Sequence, residues 1–141
     1  MINVTCAIIV YNNKILITQR GEDSDHPFLW EFPGGKVNPG ETIRECIVRE
    51  IREELDIEVE ILEKLVSVEF DYGFKKIKLF PFLCSTANHG LKLNEHYDFK
   101  WIELTDFENI DFSEADKKLI QQKKNNKILK KYFRENMYNP R

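Results

Sequence analysis

Two runs rich in β-branched residues open the chain, residues 2–10 (INVTCAIIV) and 14–18 (KILIT), separated by Tyr11, Asn12 and Asn13. Apolar runs around a short polar break predict a β-hairpin. After Gln19 and Arg20, the polar stretch GEDSDHP leads into Phe28-Leu29-Trp30-Glu31-Phe32-Pro33, which reads as a loop entering a short extended segment. The period then changes. Ile47, Val48, Ile51 and Leu55 recur at helical spacing, Asn38-Pro39-Gly40 makes a turn ahead of them, and Thr42 with Glu45 fits a capping box. A helix is therefore expected over residues 43–55.

Beyond that helix, residues 57–70 alternate as a strand, Asp71 to Phe74 gives a turn, and residues 77–83 form another strand. Pro81 suggests that this strand lies at an edge or carries a bulge. His89 and Gly90 sit in a polar loop, residues 98–104 alternate again, and from Ser113 onward Leu119, Ile120, Ile128 and Leu129 recur among lysines in a helical pattern. The sum is an α/β (α+β) arrangement, a mixed sheet flanked by two or three helices. With 141 residues, the chain suits one domain, 1–141, large enough to bury a core without disulfides. Cys6, Cys46 and Cys84 are odd in number and widely spaced, which suits reduced, packed thiols. No apolar run approaches the roughly 20 residues needed to cross a bilayer, and the first residues lack the pattern of a secretory leader. A cytoplasmic protein with no membrane partner is expected.

The net charge of −3 conceals an asymmetry, because acids gather in residues 41–63 and lysines in residues 117–131. On a helix, Glu50, Glu53 and Glu54 fall within an arc of about 100°. Carboxylates crowded in this way repel one another, so either they form a solvated acidic face or they share a cation. The apolar stripe begins about 60° around from Glu50, so the acidic face borders the buried one and the helix is suited to line a cleft. Carboxylate oxygens are hard ligands, which makes Mg²⁺ the natural cation and Mn²⁺ its alternative.

The spacing Gly35, five residues, Glu41, seven residues, then Arg49 through Ile57 (REIREELDI) resembles the Nudix box. One position departs: Asp56 stands where that family usually has a glycine ending the helix in a left-handed conformation, which Asp tolerates at a cost of about 1 kcal/mol or less. The wider stretch LWEFPGGKV is similar to the MutT-type branch, whose members hydrolyse nucleoside triphosphates to monophosphate and pyrophosphate. The resemblance implies an α/β/α sandwich around a mixed sheet, with a catalytic loop, helix and loop. It also implies Mg²⁺-dependent chemistry on a substrate such as oxidised dGTP or a cytidine nucleotide. Glu50, Glu53 and Glu54 then become metal ligands together with the Gly35 carbonyl, Glu53 the first candidate for activating water, and Arg49 the residue orienting the carboxylates. Glu41 would brace the loop or reach a metal through water.

Outside the box, Glu95 matches a loop glutamate that can join the metal site, and Arg20 a phosphate-contacting arginine that Lys75 or Lys76 would assist. Phe32 would pack beside the base, and Asp116 would hydrogen-bond its edge. Each has a plainer alternative: Glu95 as a solvated loop acid, Phe32 as core, Asp116 as a first-turn helix acid favoured by the dipole. Three further readings stand beside triphosphate hydrolysis. They are hydrolysis of ADP-ribose or a dinucleoside polyphosphate, a non-catalytic nucleotide-binding module, and an RNA-binding surface on the C-terminal lysines. Those lysines interleave with apolar residues as in ordinary amphipathic helices, so the expected partner is a small nucleotide rather than nucleic acid, and the protein a monomer or homodimer. No Ser-His or Cys-His pairing is evident, and His26, His89 and His96 are scattered along the chain.

Overall fold

The computed structural model describes residues 1–138, so the last three positions of the expected unit lie outside the described residues. Strands β1 (Ile2–Tyr11) and β2 (Lys14–Gln19) form the predicted hairpin, pairing Val10 with Ile15 and Tyr11 with Lys14. Its two turn residues, Asn12 and Asn13, have φ of 50° and 66°. Two successive left-handed residues make the type I′ turn that matches strand twist, and asparagine is among the few residues that accept it. β3 (Trp30–Glu31) pairs with β2, and β4 (Gly34–Lys36) with β1.

β7 (Lys76–Ser85) runs parallel to β1, from Ile2 opposite Ile77 to Val10 opposite Ser85, while the other pairings are antiparallel. β5 (Glu60–Lys64) and β6 (Val68–Asp71) flank β7, and β8 (Asp98–Ile102) flanks β2. The sheet is mixed, as expected.

Alternation along β1 sends its side chains into two cores. Cys6, Ile8 and Val10 pack with Ile77, Leu79 and Leu83 beneath Leu119 of α2 (Glu114–Gln121) and Leu129 of α3 (Lys123–Tyr138). Ala7 and Ile9 pack with Phe82 and Cys84 beneath Ile47, Ile51 and Leu55 of α1 (Ile43–Leu55). Those three α1 side chains are fully buried, and each contributes about 1.5–3 kcal/mol of hydrophobic stabilisation. Helices thus cover both faces of the sheet in an α/β/α sandwich. Cys6, Cys46 and Cys84 are free and buried. Among the described residues, no helix is long and apolar enough to cross a membrane.

Two expectations need correction. Residues 57–70 form not one strand but two, β5 and β6, both paired with β7. Between them the buried Asn125 binds Val66 at both backbone groups, accepting from its N–H at 2.7 Å and donating to its carbonyl at 2.9 Å. Pro81, expected at an edge or a bulge, sits opposite Cys6 in β7, which has neighbours on both sides. Its carbonyl accepts from Leu65 N at 2.9 Å, so the side of the strand that lacks an N–H faces the interval between β5 and β6, where the ladder is already interrupted.

Candidate active site

α1 has both of its predicted ends. Thr42 Oγ1 accepts from Glu45 N at 3.1 Å while Glu45 Oε1 accepts from Thr42 N at 2.9 Å, a complete capping box. At the other end Asp56 adopts φ 56° and ψ 38°, and its N–H donates to Arg52 O. Aspartate therefore takes the left-handed conformation that glycine usually supplies.

The side chains between these caps are ordered by Arg49. Its Nε and Nη2 form a bidentate pair with Glu41 at 2.6 and 2.9 Å, and its Nη1 reaches Glu50 Oε1 at 2.9 Å and Glu53 Oε2 at 3.1 Å. The Arg49 hydrogen bonds, with that of Asn38 N, hold Glu41 down at about pKa 2. Glu41 thus ties the loop before α1 to the helix. Gly35 lies against the same cluster. A Cβ there would stand 2.5 and 2.6 Å from the two Glu50 carboxylate oxygens, so only glycine leaves Glu50 its position. The Gly35 carbonyl accepts from Thr5 Oγ1 at 3.3 Å.

The three glutamates differ sharply in environment. Glu53 is half exposed, whereas the Glu54 side chain is only 4 % exposed and its Oε2 has no partner. Burial, then the charge and hydrogen bond of Glu50, push the Glu54 carboxyl up to about 10. Among the described residues, no three His, Cys, Asp or Glu side chains converge as a ready cation site, and Arg49 holds Glu50 and Glu53 toward itself. The donors nonetheless fit a hard divalent cation, being all oxygen, with a buried carboxylate oxygen left over.

A network that periodicity does not reveal reaches Glu54 from outside α1. Asn94 N donates to Glu54 O and its Nδ2 to Glu53 O, which fastens the segment before β8 to the last turn of α1. Glu95 in this segment is exposed, and its charge is one of those that raise Glu54. The next residue, His96, is nearly buried, with Nε2 3.0 Å from Glu31 Oε2 and Nδ1 3.9 Å from Glu54 Oε2. Arg20 Nη1 pairs with the other Glu31 oxygen at 2.7 Å. Burial alone would raise Glu31, but the His96 hydrogen bond and the Arg20 charge hold it below its usual range. The histidines are therefore not all bystanders. His96 and Glu31 were missed because they meet across 65 positions of sequence, and the one available signal was the adjacency of His96 to Glu95.

Beside this network is a cavity of about 240 Å³, whose lining includes Arg20, Glu31, Phe32, Gly35, Lys75 and Asp116. Phe32 is both wall and core, since it packs against Phe107 and Phe112 with centroids at 5.6 and 5.7 Å. Asp116, in the first turn of α2, is buried, accepting from Phe32 N at 3.4 Å and from the Ser113 hydroxyl. Burial and the charge of Glu31 push it up to about 7. Lys75 pairs with Asp25 at 3.2 Å, across two loops at the cavity rim, and Lys76 lies 4.0 Å from Asp71. Arg20, Phe32, Lys75 and Asp116 thus gather at one cavity, while Glu95 stays at the α1 side.

Comparison with known proteins agrees with this geometry. The NUDIX domain family matches residues 1–123. A CTP pyrophosphohydrolase of Escherichia coli K12 is 41 % identical over 101 residues, 72 % of this chain and 75 % of that protein. An 8-oxo-dGTP diphosphatase of Buchnera aphidicola subsp. Schizaphis graminum is 33 % identical over 118 residues, 84 % of this chain and 89 % of its own. The crystal structure of a MutT protein from Methanosarcina mazei Go1 superposes with a TM-score of 0.78 at 26 % identity, covering 96 % of this chain and 94 % of that one. With an arginine-ordered glutamate helix on an α/β/α sandwich and a family match over most of its length, the chain belongs to the Nudix family and is a Nudix hydrolase.

Proposed function

We propose that the protein hydrolyses a nucleoside or deoxynucleoside triphosphate to the monophosphate and pyrophosphate, by Mg²⁺-dependent attack of water on the β-phosphorus. One observation carries this reading: Glu54, a buried acid crowded by Glu50, has an unpartnered oxygen and is linked through His96 to Glu31, which lines a cavity of about 240 Å³. A cation arriving there would displace the proton that burial and the charge of Glu50 otherwise keep on Glu54, and would neutralise the crowded pair. The names of the relatives, a CTP pyrophosphohydrolase and 8-oxo-dGTP diphosphatases, support a triphosphate substrate carrying a cytosine or an oxidised guanine.

Glu50, Glu53 and Glu54 would hold Mg²⁺ with the Gly35 carbonyl and Glu95, and the bound ion would neutralise the triphosphate and acidify a coordinated water. Glu53, more exposed than Glu50 or Glu54, accepts the proton of the attacking water. Arg49 keeps Glu41, Glu50 and Glu53 in fixed orientation, which is positioning more than chemistry. Arg20 contacts the phosphates and Lys75 adds a second cation at the cavity rim. Phe32 walls the base, and Asp116, with a pKa near neutrality, can accept from or donate to the base edge.

A panel of canonical, oxidised and methylated nucleotides with Mg²⁺, analysed for products, tests the proposal. Pyrophosphate with a monophosphate is expected. No turnover of any triphosphate, or inorganic phosphate as the sole product, overturns it.

A further inference from the structure

Among the described residues, three buried side-chain atoms have no hydrogen-bond partner: Arg20 Nε, Glu54 Oε2 and His96 Nδ1. All three belong to one line of side chains, Arg20–Glu31–His96–Glu54, drawn from the residue after β2, from β3, the segment before β8, and α1. Unsatisfied buried polar atoms are uncommon in folded proteins, and their concentration in a single network marks it as one that something else completes.

The backbone around His96 fits this view. Asn94 is tied to the end of α1, and Tyr97 N donates to Gln19 O at 2.9 Å, beside Arg20. His96 therefore sits midway on a short span between the carboxylate end of the site and its arginine end. Glu31 is held ionised, so its oxygen accepts and His96 Nε2 carries the hydrogen, which leaves Nδ1 facing Glu54.

We infer that His96 is a positioning residue that couples Glu31 and Arg20 on the phosphate side to the buried carboxylate Glu54 on the metal side. This rests on the proposed assignment of Glu54 to the cation and of Arg20 to the phosphates. His96 touches neither in this role. It holds Glu54 and Glu31 in fixed relation, so that the cation and the phosphates meet in register.

The test uses the purified full chain as wild type, His96→Ala, His96→Gln, Glu31→Gln and the His96→Ala/Glu31→Gln double variant. Mn²⁺ affinity without nucleotide is measured by calorimetry, with melting temperature as a control. Glu31 is not among the proposed ligands. The coupling therefore predicts that Glu31→Gln weakens Mn²⁺ binding about three- to fivefold in wild type but less than 1.5-fold in the His96→Ala background. His96→Ala alone should weaken Mn²⁺ about fivefold or more, and His96→Gln, which keeps a donor for Glu31, should recover part of the loss. A simple long-range charge effect of Glu31 would persist in both backgrounds. Equal effects of Glu31→Gln in the two backgrounds overturn the inference, as does His96→Ala within twofold of wild type. Failure of both His96 variants to fold assigns the residue to the core and overturns it too. Because the readout needs no turnover, a wild type inactive on every nucleotide while the Mn²⁺ coupling holds would refute the substrate reading and leave the bridge standing.

Discussion

Asp116→Asn isolates the energetic burden of one buried acid. Asp116 is 6 % exposed, and burial together with the Glu31 charge raises its carboxyl from the ordinary 3.8 to about 7. The unfolded chain gives up this proton near pH 4 and the folded chain only near 7. Between those values the native state binds more protons, so wild-type stability falls as pH rises and levels off above about 7. Asparagine keeps an oxygen for Phe32 N and an amide for the Ser113 hydroxyl, but does not titrate. The stability of the variant relative to wild type should thus grow by about 2–3 kcal/mol between pH 5 and pH 8. In urea denaturation this is a relative midpoint shift of about 1 M, taking a slope of about 2 kcal/mol/M for a chain of this size. Comparing differences cancels the titration of every other group. Parallel pH profiles for the two proteins, or a variant that loses ground as pH rises, would refute the account of Asp116.

Three further outcomes are expected. Glu54→Gln should melt a few degrees above wild type at pH 8 in a chelator, since a folded-state pKa raised to about 10 means stability lost as pH climbs above the ordinary 4.5, and millimolar Mg²⁺ should reverse the order by stabilising only the wild type; an order unchanged by Mg²⁺ counts against Glu54 as a ligand. Asp56→Gly should raise stability by about 0.5–1 kcal/mol, or about 2–4 °C, because the left-handed C-cap suits glycine better; a lowered melting temperature contradicts this. Gly35→Ala should reduce pyrophosphate release at least about tenfold by driving Glu50 from its place; turnover within twofold of wild type would mean that Glu50 relocates freely.

The helix that carries the glutamates was legible because its information is local. The capping box, the apolar spacing of Ile47, Ile51 and Leu55, and the Asp56 C-cap all lie within fifteen residues, and the observed bounds Ile43–Leu55 match the expected ones. The β1–β2 hairpin was legible for the same reason. The break within residues 57–70 was not, because it is imposed by Asn125, about sixty positions away. Pro81 misled because its tolerance depends on what faces one side of β7, which is a property of the sheet rather than of the strand. Phe32 was divided between base wall and core; it packs in the core and also lines the cavity. His96 and Glu31 were invisible as partners because polar contacts across a fold carry no period.

The two cores of the sandwich bear on how such a protein acquires new substrates. α1 rests on the core of Ala7, Ile9 and Phe82, whereas Phe32 and the α2 residue Ala115, next to Asp116, pack into the core of Cys6, Leu79 and Leu119. A substitution at Phe32 or Ala115 that reshapes the cavity wall is absorbed on one side of the sheet, leaving the packing under the glutamates undisturbed. With the base placed at this cavity and the cation on α1, as proposed, base preference can drift by repacking a single core while bond cleavage is inherited intact. Substitutions in the two cores should combine multiplicatively, and epistasis should concentrate in the side chains that cross between them, Arg20, Glu31, His96 and Glu54.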